Sequence, residues 1–503
     1  MEQMSLPGLL EPAFPTNKVV VDIRKLRGGY YTPPELAEFL VGWGLRKDTK
    51  RILEPSCGDG NFVLAILQSL QTTPTSSAKI TAVELMPEGA IIDWHGGDFF
   101  STYGKLSQCE KFDLVVGNPP FIRFQHFDDA SRKIAFSHLR HAGYKPTKLA
   151  NAWAAFVQLS IELLATGGRL AMVVPAELLQ VKYAHELRNR LASQFEHIVI
   201  VGFKKLVFPE IQQEVVLLLA DGKHETSRAS SDIHTVEVLD REDLMLSNSL
   251  SEKVAHAPAK HSRNGMKWTA LFLDDVTFNA LDEAENTVGL SPLGFFAQVD
   301  VGIVTGRNSF FVLSKQLQSE LGASDYTVPI IGRTAALRTT SFDPSDFCRY
   351  SEQYPAYLLN LAGVTYDNLP QDIQDYIKAG EQENIHRGYK CRIRKRWYDV
   401  PSIYVPNAFM FRQIHRYPLV VANNANATST DTIHRVRVKE GVDVRLLAAA
   451  CFNSLTLAWA EVCGRSYGGG VLELEPGEAE ELPVYYRDDL AIDVDLVEHL
   501  LKE

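Results

Sequence analysis

Asn118-Pro119-Pro120-Phe121 stands at the end of an apolar run, Phe112-Asp113-Leu114-Val115-Val116-Gly117, with the composition of a buried strand. The two prolines remove two backbone donors and stiffen the turn, so the Asn118 side chain and the Pro119 carbonyl are held as fixed acceptors just past the sheet. Two converging acceptors suit a planar amino group. The lone pair of an aromatic amine is delocalised into its ring and makes a poor nucleophile. Hydrogen bonds from both N–H groups to Asn118 Oδ1 and Pro119 O favour a tetrahedral nitrogen and stabilise the positive charge that develops as it attacks a sulfonium methyl in line. No strong general base is then required, and none is evident beside the motif. Phe121 would stack on the ring that carries the amine, and Phe208, in Leu206-Val207-Phe208-Pro209-Glu210, is a second stacking candidate on a turn between two late strands. The competing reading makes both ordinary core residues.

A second group of residues reads as a nucleoside site. Ile52-Leu53-Glu54-Pro55-Ser56-Cys57-Gly58-Asp59-Gly60-Asn61-Phe62 is a strand, a Gly-containing turn and a helix start, the place where a doubly wound sheet lets backbone approach a ligand. Gly58-x-Gly60 lacks the full G-x-G-x-x-G, which disfavours a dinucleotide, and a plain tight turn would look the same. Thr81-Ala82-Val83-Glu84-Leu85 then places an acid at the carboxyl end of the next strand, where a carboxylate can accept both ribose hydroxyls. Gly97-Asp98-Phe99-Phe100 supplies a carboxylate for an adenine amino group beside an aromatic that could cover the ring; as a turn residue, Asp98 has a simpler explanation. Upstream, Gly28-Gly29-Tyr30-Tyr31-Thr32-Pro33-Pro34-Glu35 precedes an amphipathic helix over 36–43 and reads structurally as an N-cap with early prolines, which leaves the crowded glycines and tyrosines unexplained.

These residues must be positioned by alternating elements. Strands are expected at 51–53, 80–84, 114–116, 170–174, 198–201 and 215–219, and helices at 60–70 and 151–164, the latter stopped by Thr166-Gly167-Gly168. This is an α/β pattern with a mainly parallel, Rossmann-like sheet. After a polar, Ser-rich stretch over 221–232, short strands and helices follow in no regular order, as in a mixed α+β domain. The expected division is an N-terminal extension over 1–26, a catalytic domain over 27–225 and a second domain over 226–503.

Composition excludes several classes. Hydrophobic residues are 45% and charged residues 22% of the 503, and no stretch has the roughly 18 uninterrupted apolar residues of a membrane span. Residues 1–15 carry no secretion signal, so the expected location is the cytoplasm. The six cysteines form no CxxC pair and have no His partner at zinc-finger spacing, which predicts reduced thiols and no structural metal. A net charge of −11 argues at first against a nucleic-acid partner, yet residues 385–416 hold eight basic side chains (Arg387, Lys390, Arg392, Arg394, Lys395, Arg396, Arg412 and Arg416) against one acid, Asp399.

With these motifs assembled, the chain resembles the gamma-class amino-group DNA methyltransferases, the TaqI-like modification methylases. Tyr31-Thr32-Pro33-Pro34 looks like their N-terminal cofactor motif, Leu53-Glu54-Pro55-Ser56-Cys57-Gly58 like their first sheet motif, and Asn118-Pro119-Pro120-Phe121 like their catalytic motif, in the family's order. The likeness extends to Val304-Thr305-Gly306-Arg307-Asn308 and to Arg465-Ser466-Tyr467-Gly468-Gly469-Gly470-Val471. The resemblance implies S-adenosylmethionine as cofactor, held by Thr32, Glu54, Cys57 (through its backbone), Gly58, Glu84, Leu85, Asp98 and Phe99. It implies transfer to N6 of an adenine flipped out of duplex DNA and sandwiched by Phe121 and Phe208, with Asn118, Pro119, Pro120 and Phe121 as the catalytic residues. Many relatives have Tyr where this chain has Phe121, and stacking needs only the ring face.

The partners so implied are double-stranded DNA and a cognate restriction endonuclease, with the chain itself a monomer. Other enzymes share an Asn-Pro-Pro-aromatic motif, among them methyltransferases acting on a release-factor glutamine or on guanine in RNA, but they predict no region of about 280 residues after Leu219. A DNA-recognition subunit of a larger defence complex is the other class of reading. In the second domain, Tyr389-Lys390-Cys391-Arg392-Ile393-Arg394-Lys395-Arg396-Trp397-Tyr398 is the favoured DNA-contacting segment, with Arg392, Arg394, Lys395 and Arg396 projecting from a strand toward phosphates. A solvated charged face is its competitor.

Overall fold

The apolar runs on either side of the tetrapeptide become neighbouring strands of one sheet. In the computed structural model, residues 32–72, 78–84, 93–148, 150–208, 213–227, 230–246, 249–263, 265–285, 290–414, 417–467, 471–487 and 497 are described. Tyr31, Leu85, Pro209, Glu210, Arg416 and Gly468-Gly469-Gly470 lie outside them, as does the expected N-terminal extension. The chain divides into two units, Met1–Asp275 and Val276–Glu503.

The first unit runs α1 (Pro34–Gly44), β1 (Arg51–Glu54), α2 (Asn61–Thr72), β2 (Lys79–Glu84), β3 (Asp93–Gly96), α3 (Phe99–Leu106), β4 (Phe112–Gly117), α4 (Asp129–His141), α5 (Ala152–Leu163), β5 (Leu164–Pro175), α6 (His185–Gln194), β6 (His197–Phe203), β7 (Val215–Asp221) and β8 (Asp232–Val238). The strands form a single sheet in the order β3-β2-β1-β4-β5-β7-β6-β8. All neighbours are parallel except β7, which runs antiparallel to β5 and β6. Central strands buried on both faces explain the near-continuous Val, Ile and Leu runs of β4, β5 and β7. The order reverses between β1 and β4, and a sheet of this kind opens a crevice at the carboxyl ends of those two strands. Since β6 is parallel to β4, the β6–β7 connection that carries Phe208 leaves from the same edge.

Helix α5 ends at Leu163, three residues before the expected Thr166 stop, because the chain turns extended at Leu164 and pairs with β4 from there. The expected boundary at 225/226 falls within the first unit: β8 pairs with β6 over seven residues, and the chain beyond it brings the Phe272 ring to within 3.0 Å of where a Cβ on Gly202 would stand.

The second unit is mixed. One sheet orders Ala297–Asp300, Ile433–Val438, Ala408–Phe411, Val420–Asn423 and Ser341–Phe342; another orders Val312–Leu313, Tyr357–Leu359, Thr327–Ile331 and Thr428–Ser429. The basic segment is not a strand, as expected from its alternation, but a helical turn, Tyr389–Arg392, followed by further turns. Cys391, Tyr398 and Val400 anchor it in a core with Ile303, Phe310, Phe311 and Ile377. No single helix among the described residues is long and apolar enough to cross a membrane.

Candidate active site

Two turns meet at the crevice. The turn after β1 starts with Glu54, whose side chain is fully buried; one carboxylate oxygen accepts from Ser56 N at 3.1 Å, and the other, Oε2, is buried with no hydrogen-bond partner among the described residues. Burial pushes the Glu54 carboxyl up to about 8, with Glu84 and Asp59 adding repulsion. The turn after β4 carries the tetrapeptide, and the two are tied directly by Ser56 Oγ donating to Asn118 O at 3.2 Å. They fit this closely because residue 117 is glycine: a Cβ there would stand 2.6 Å from Glu54 Oε1. Asn118, Pro120 and Phe121 are half-buried and Pro119 is buried.

The glycines of the first turn have left-handed backbone, Gly58 at φ 56° and Gly60 at φ 85°, and the space where a Gly60 Cβ would stand is open. Gly58 N donates to Glu84 Oε2 at 2.8 Å and Cys57 N to Val83 O at 3.1 Å, so the acid at the end of β2 is bound into the same turn. Cys57 is buried, and burial beside Glu54 pushes its thiol well up, which makes it a backbone element rather than a nucleophile. Thr32 is buried; its carbonyl accepts from Asn61 Nδ2 at 2.9 Å, and Asn61 also bonds Asp59. The N-cap of α1 is Pro33 rather than Thr32, so the Thr-Pro-Pro element is pinned to the cofactor turn from outside the helix.

Thus Thr32, Glu54, Cys57, Gly58 and Glu84 are joined by hydrogen bonds around one turn, with Asn118 beside it. Asp98 follows β3 and spends one carboxylate oxygen capping α3 through Phe100 N and Ser101 N. Phe99 departs from expectation: its ring is 1% exposed and stacks on Phe156 at 4.7 Å inside an aromatic core, instead of covering an open site. Phe208 is buried in the same apolar cluster against which Phe121 packs. Ser56, Asn61 and Gly117 stand inside the quoted motifs with no role of their own assigned from sequence, although Asn61 at the first position of a helix after a glycine turn is a usable signal. Among the described residues no group of three or more His, Cys, Asp or Glu could hold a metal ion. No disulfide bond joins any of the six cysteines.

The buried unpartnered oxygen of Glu54, the open face over Gly60 and the acid after β2 fit a ligand with a positive centre and a ribose. A sheet of this order with these turns at its switch point defines the S-adenosylmethionine-dependent methyltransferases. A family model described as the Eco57I restriction-modification methylase matches residues 71–208, and one described as the C-terminal domain of type II methyltransferase M.Eco57I matches residues 265–503. These two models match in tandem, so the chain is similar to the Eco57I-type restriction-modification methylases along both of these segments. Among curated relatives, type II methyltransferase M.AccI of Acinetobacter calcoaceticus is 23% identical over 490 residues, which is 92% of this chain and 86% of the relative. Among solved structures, the type IIL restriction-modification enzyme MmeI in complex with DNA has a TM-score of 0.55 at 11% identity over 96% of this chain and 68% of that one. The type IIG restriction endonuclease BpuSI has a TM-score of 0.41 at 17% identity over 96% of this chain, which spans only 62% of it.

Proposed function

We propose that the protein methylates N6 of adenine at specific sites in duplex DNA, as the modification enzyme of a restriction-modification system. The observation that carries this reading is the Ser56–Asn118 bond, which holds the amine-directed tetrapeptide against the turn that would hold the cofactor. When bound, S-adenosylmethionine supplies an electrophilic methyl group on a positively charged sulfur. Thr32, Glu54, Gly58 and Glu84 would hold it, with Cys57 contributing backbone and Asp98 the carboxylate toward the adenine moiety.

The chain's own work is done at the target. Asn118 Oδ1 and the Pro119 carbonyl accept the two amino hydrogens, which draws the nitrogen lone pair out of conjugation and stabilises the charge it acquires. Phe121 and Phe208 come from the two connections that leave the same sheet edge, and they stack on the flipped base. Phe208 would have to leave the apolar cluster in part to do so. The second unit reads the DNA sequence, and a cognate endonuclease cuts the unmodified site.

The test is to incubate the protein with S-adenosylmethionine and unmethylated plasmid DNA and to map modified bases by single-molecule sequencing. Methylated adenines at one recurring sequence are expected. Modified cytosines, or no modified base, would overturn the proposal.

A further inference from the structure

The four basic residues of the favoured segment separate into two pairs. Arg394 donates to Val304 O at 3.1 Å, Thr305 O at 2.7 Å and Trp397 O at 3.3 Å, and its guanidinium lies 5.4 Å from the centre of the Phe311 ring. Arg396 bonds Asp399 at 2.7 Å and the carbonyls of Val364 and Leu361. Both guanidiniums are spent inside the unit. Arg392 and Lys395, by contrast, are exposed, as are Arg387 and Lys390, and none of the four has a side-chain ion pair among the described residues. Of the acids on either side, Glu381 accepts from Trp397 and Asp399 from Arg396, while Glu383 is exposed and has no ion pair with these cations among the described residues.

A second stretch joins this surface. Gly306 has φ 86°, and a Cβ there would stand 2.9 Å from Lys390 Cβ and 3.3 Å from Cys391 Sγ, so the turn over 304–309 lies directly on the helical turn Tyr389–Arg392. Thr305 Oγ1 accepts from Arg307 N at 3.1 Å and bonds Asn308 Oδ1 at 2.5 Å, which fixes the turn and leaves Arg307, Asn308 and Ser309 exposed. Between the cations stand two large apolar side chains, Tyr389 at 65% and Ile393 at 61% exposure, at the start of the helical turn and just past its end. A merely solvated face needs charge alone. Cations that make no ion pair among the described residues, with Lys390 Nζ 5.8 Å from the Tyr389 ring centre, flanking protruding apolar side chains are what a protein uses to grip phosphates while pressing a wedge against bases.

We propose that this ridge, residues 387–395 with the turn over 304–309, enters a groove of duplex DNA, an inference that rests on the DNA-modifying reading above. Arg307, Arg387, Lys390, Arg392 and Lys395 lie along the phosphates, and Tyr389 and Ile393 meet the bases. Arg394 is a positioning residue: its fork clamps the turn to the helix and touches no phosphate.

The test measures binding of the full chain to a fluorescent DNA duplex of mixed sequence across a salt series, with S-adenosylmethionine binding by calorimetry and melting temperature as controls. R392A/K395A is expected to lower the slope of log Kd against log salt by about 1.8, at about 0.9 per lost phosphate contact, with cofactor binding and melting unchanged. Y389A/I393A is expected to weaken binding about tenfold or more at an unchanged slope, since stacking carries no counterion release. R394K keeps the charge but loses the fork, so it is expected to lower the melting temperature and weaken binding while leaving the slope as in the wild type. Wild-type affinity and slope in R392A/K395A, with the wild type binding normally, would overturn the ridge and leave the DNA reading standing. A wild type that binds no duplex at any salt would overturn both.

Discussion

Replacing Glu54 by Gln tests the electrostatics of the cofactor turn in depth. Glu54 is fully buried, and burial raises its carboxyl from 4.5 to about 8. Between those two pH values the folded chain keeps a proton that the unfolded chain has lost, so stability falls as pH rises through the window; below it both states are protonated and nothing is lost. At about 1.4 kcal/mol per pH decade, the full gap corresponds to a ceiling of about 5 kcal/mol, reduced wherever local opening admits water to the ionised group. Glu54→Gln keeps the shape and removes the titration. In urea unfolding followed from about pH 5 to about pH 8.5, the variant's stability relative to wild type should therefore increase with pH by several kcal/mol. The unpartnered Oε2 adds a second readout. Binding of positively charged S-adenosylmethionine beside it favours the carboxylate, so calorimetry near pH 7 in buffers of different ionisation enthalpy should show proton release by the wild type and not by the variant. A stability difference independent of pH, together with equal proton release, would refute the reasoning.

Three further perturbations follow from the geometry. Gly117→Ala sets a methyl 2.6 Å from the pinned Glu54 Oε1, so it should cost about 1–3 kcal/mol in denaturant unfolding and weaken cofactor binding in calorimetry. Asn118→Ala should abolish methyl transfer in a radiolabel assay while largely sparing cofactor affinity, because its Oδ1 serves the target amine. Gly302→Ala drives a Cβ into the carbonyl of Thr430; a lowered melting temperature with an unchanged cofactor affinity is expected, measured by calorimetry of both transitions.

The sequence made the cofactor half legible because parallel strands buried on both faces appear as continuous apolar runs, and each ended in a turn of unusual composition. Strand β3, Asp93-Trp94-His95-Gly96, has no such run and was missed, as was β8, where Ile233, Thr235 and Val236 sit beyond a Ser-rich stretch that resembles a linker. The basic segment misled for a physical reason. Arginine at 392, 394 and 396 imitates the period of a strand, yet Arg394 and Arg396 turn inward to backbone carbonyls while Cys391 and Tyr398 anchor the chain. Alternation in charge therefore recorded two different jobs. Its neighbour Asp98 suggests Phe99 as a cover for a ligand, whereas helix α3 carries the Phe99 ring into the core, a direction that sequence spacing does not reveal. The close approach of Gly117 to Glu54 joins positions 63 residues apart and has no local signature at all.

The central claim is that the tetrapeptide at the end of β4 directs a methyl group to the exocyclic amine of adenine in DNA. Incubating wild type and Asn118→Ala with S-adenosylmethionine labelled in its methyl group and with plasmid DNA, then digesting the DNA to nucleosides and separating them, tests it most directly. Label in N6-methyl-2′-deoxyadenosine with the wild type, and none with the variant, is the predicted result. Label in a methylated cytosine, in protein or in added RNA instead of DNA, or full turnover by Asn118→Ala, would contradict it.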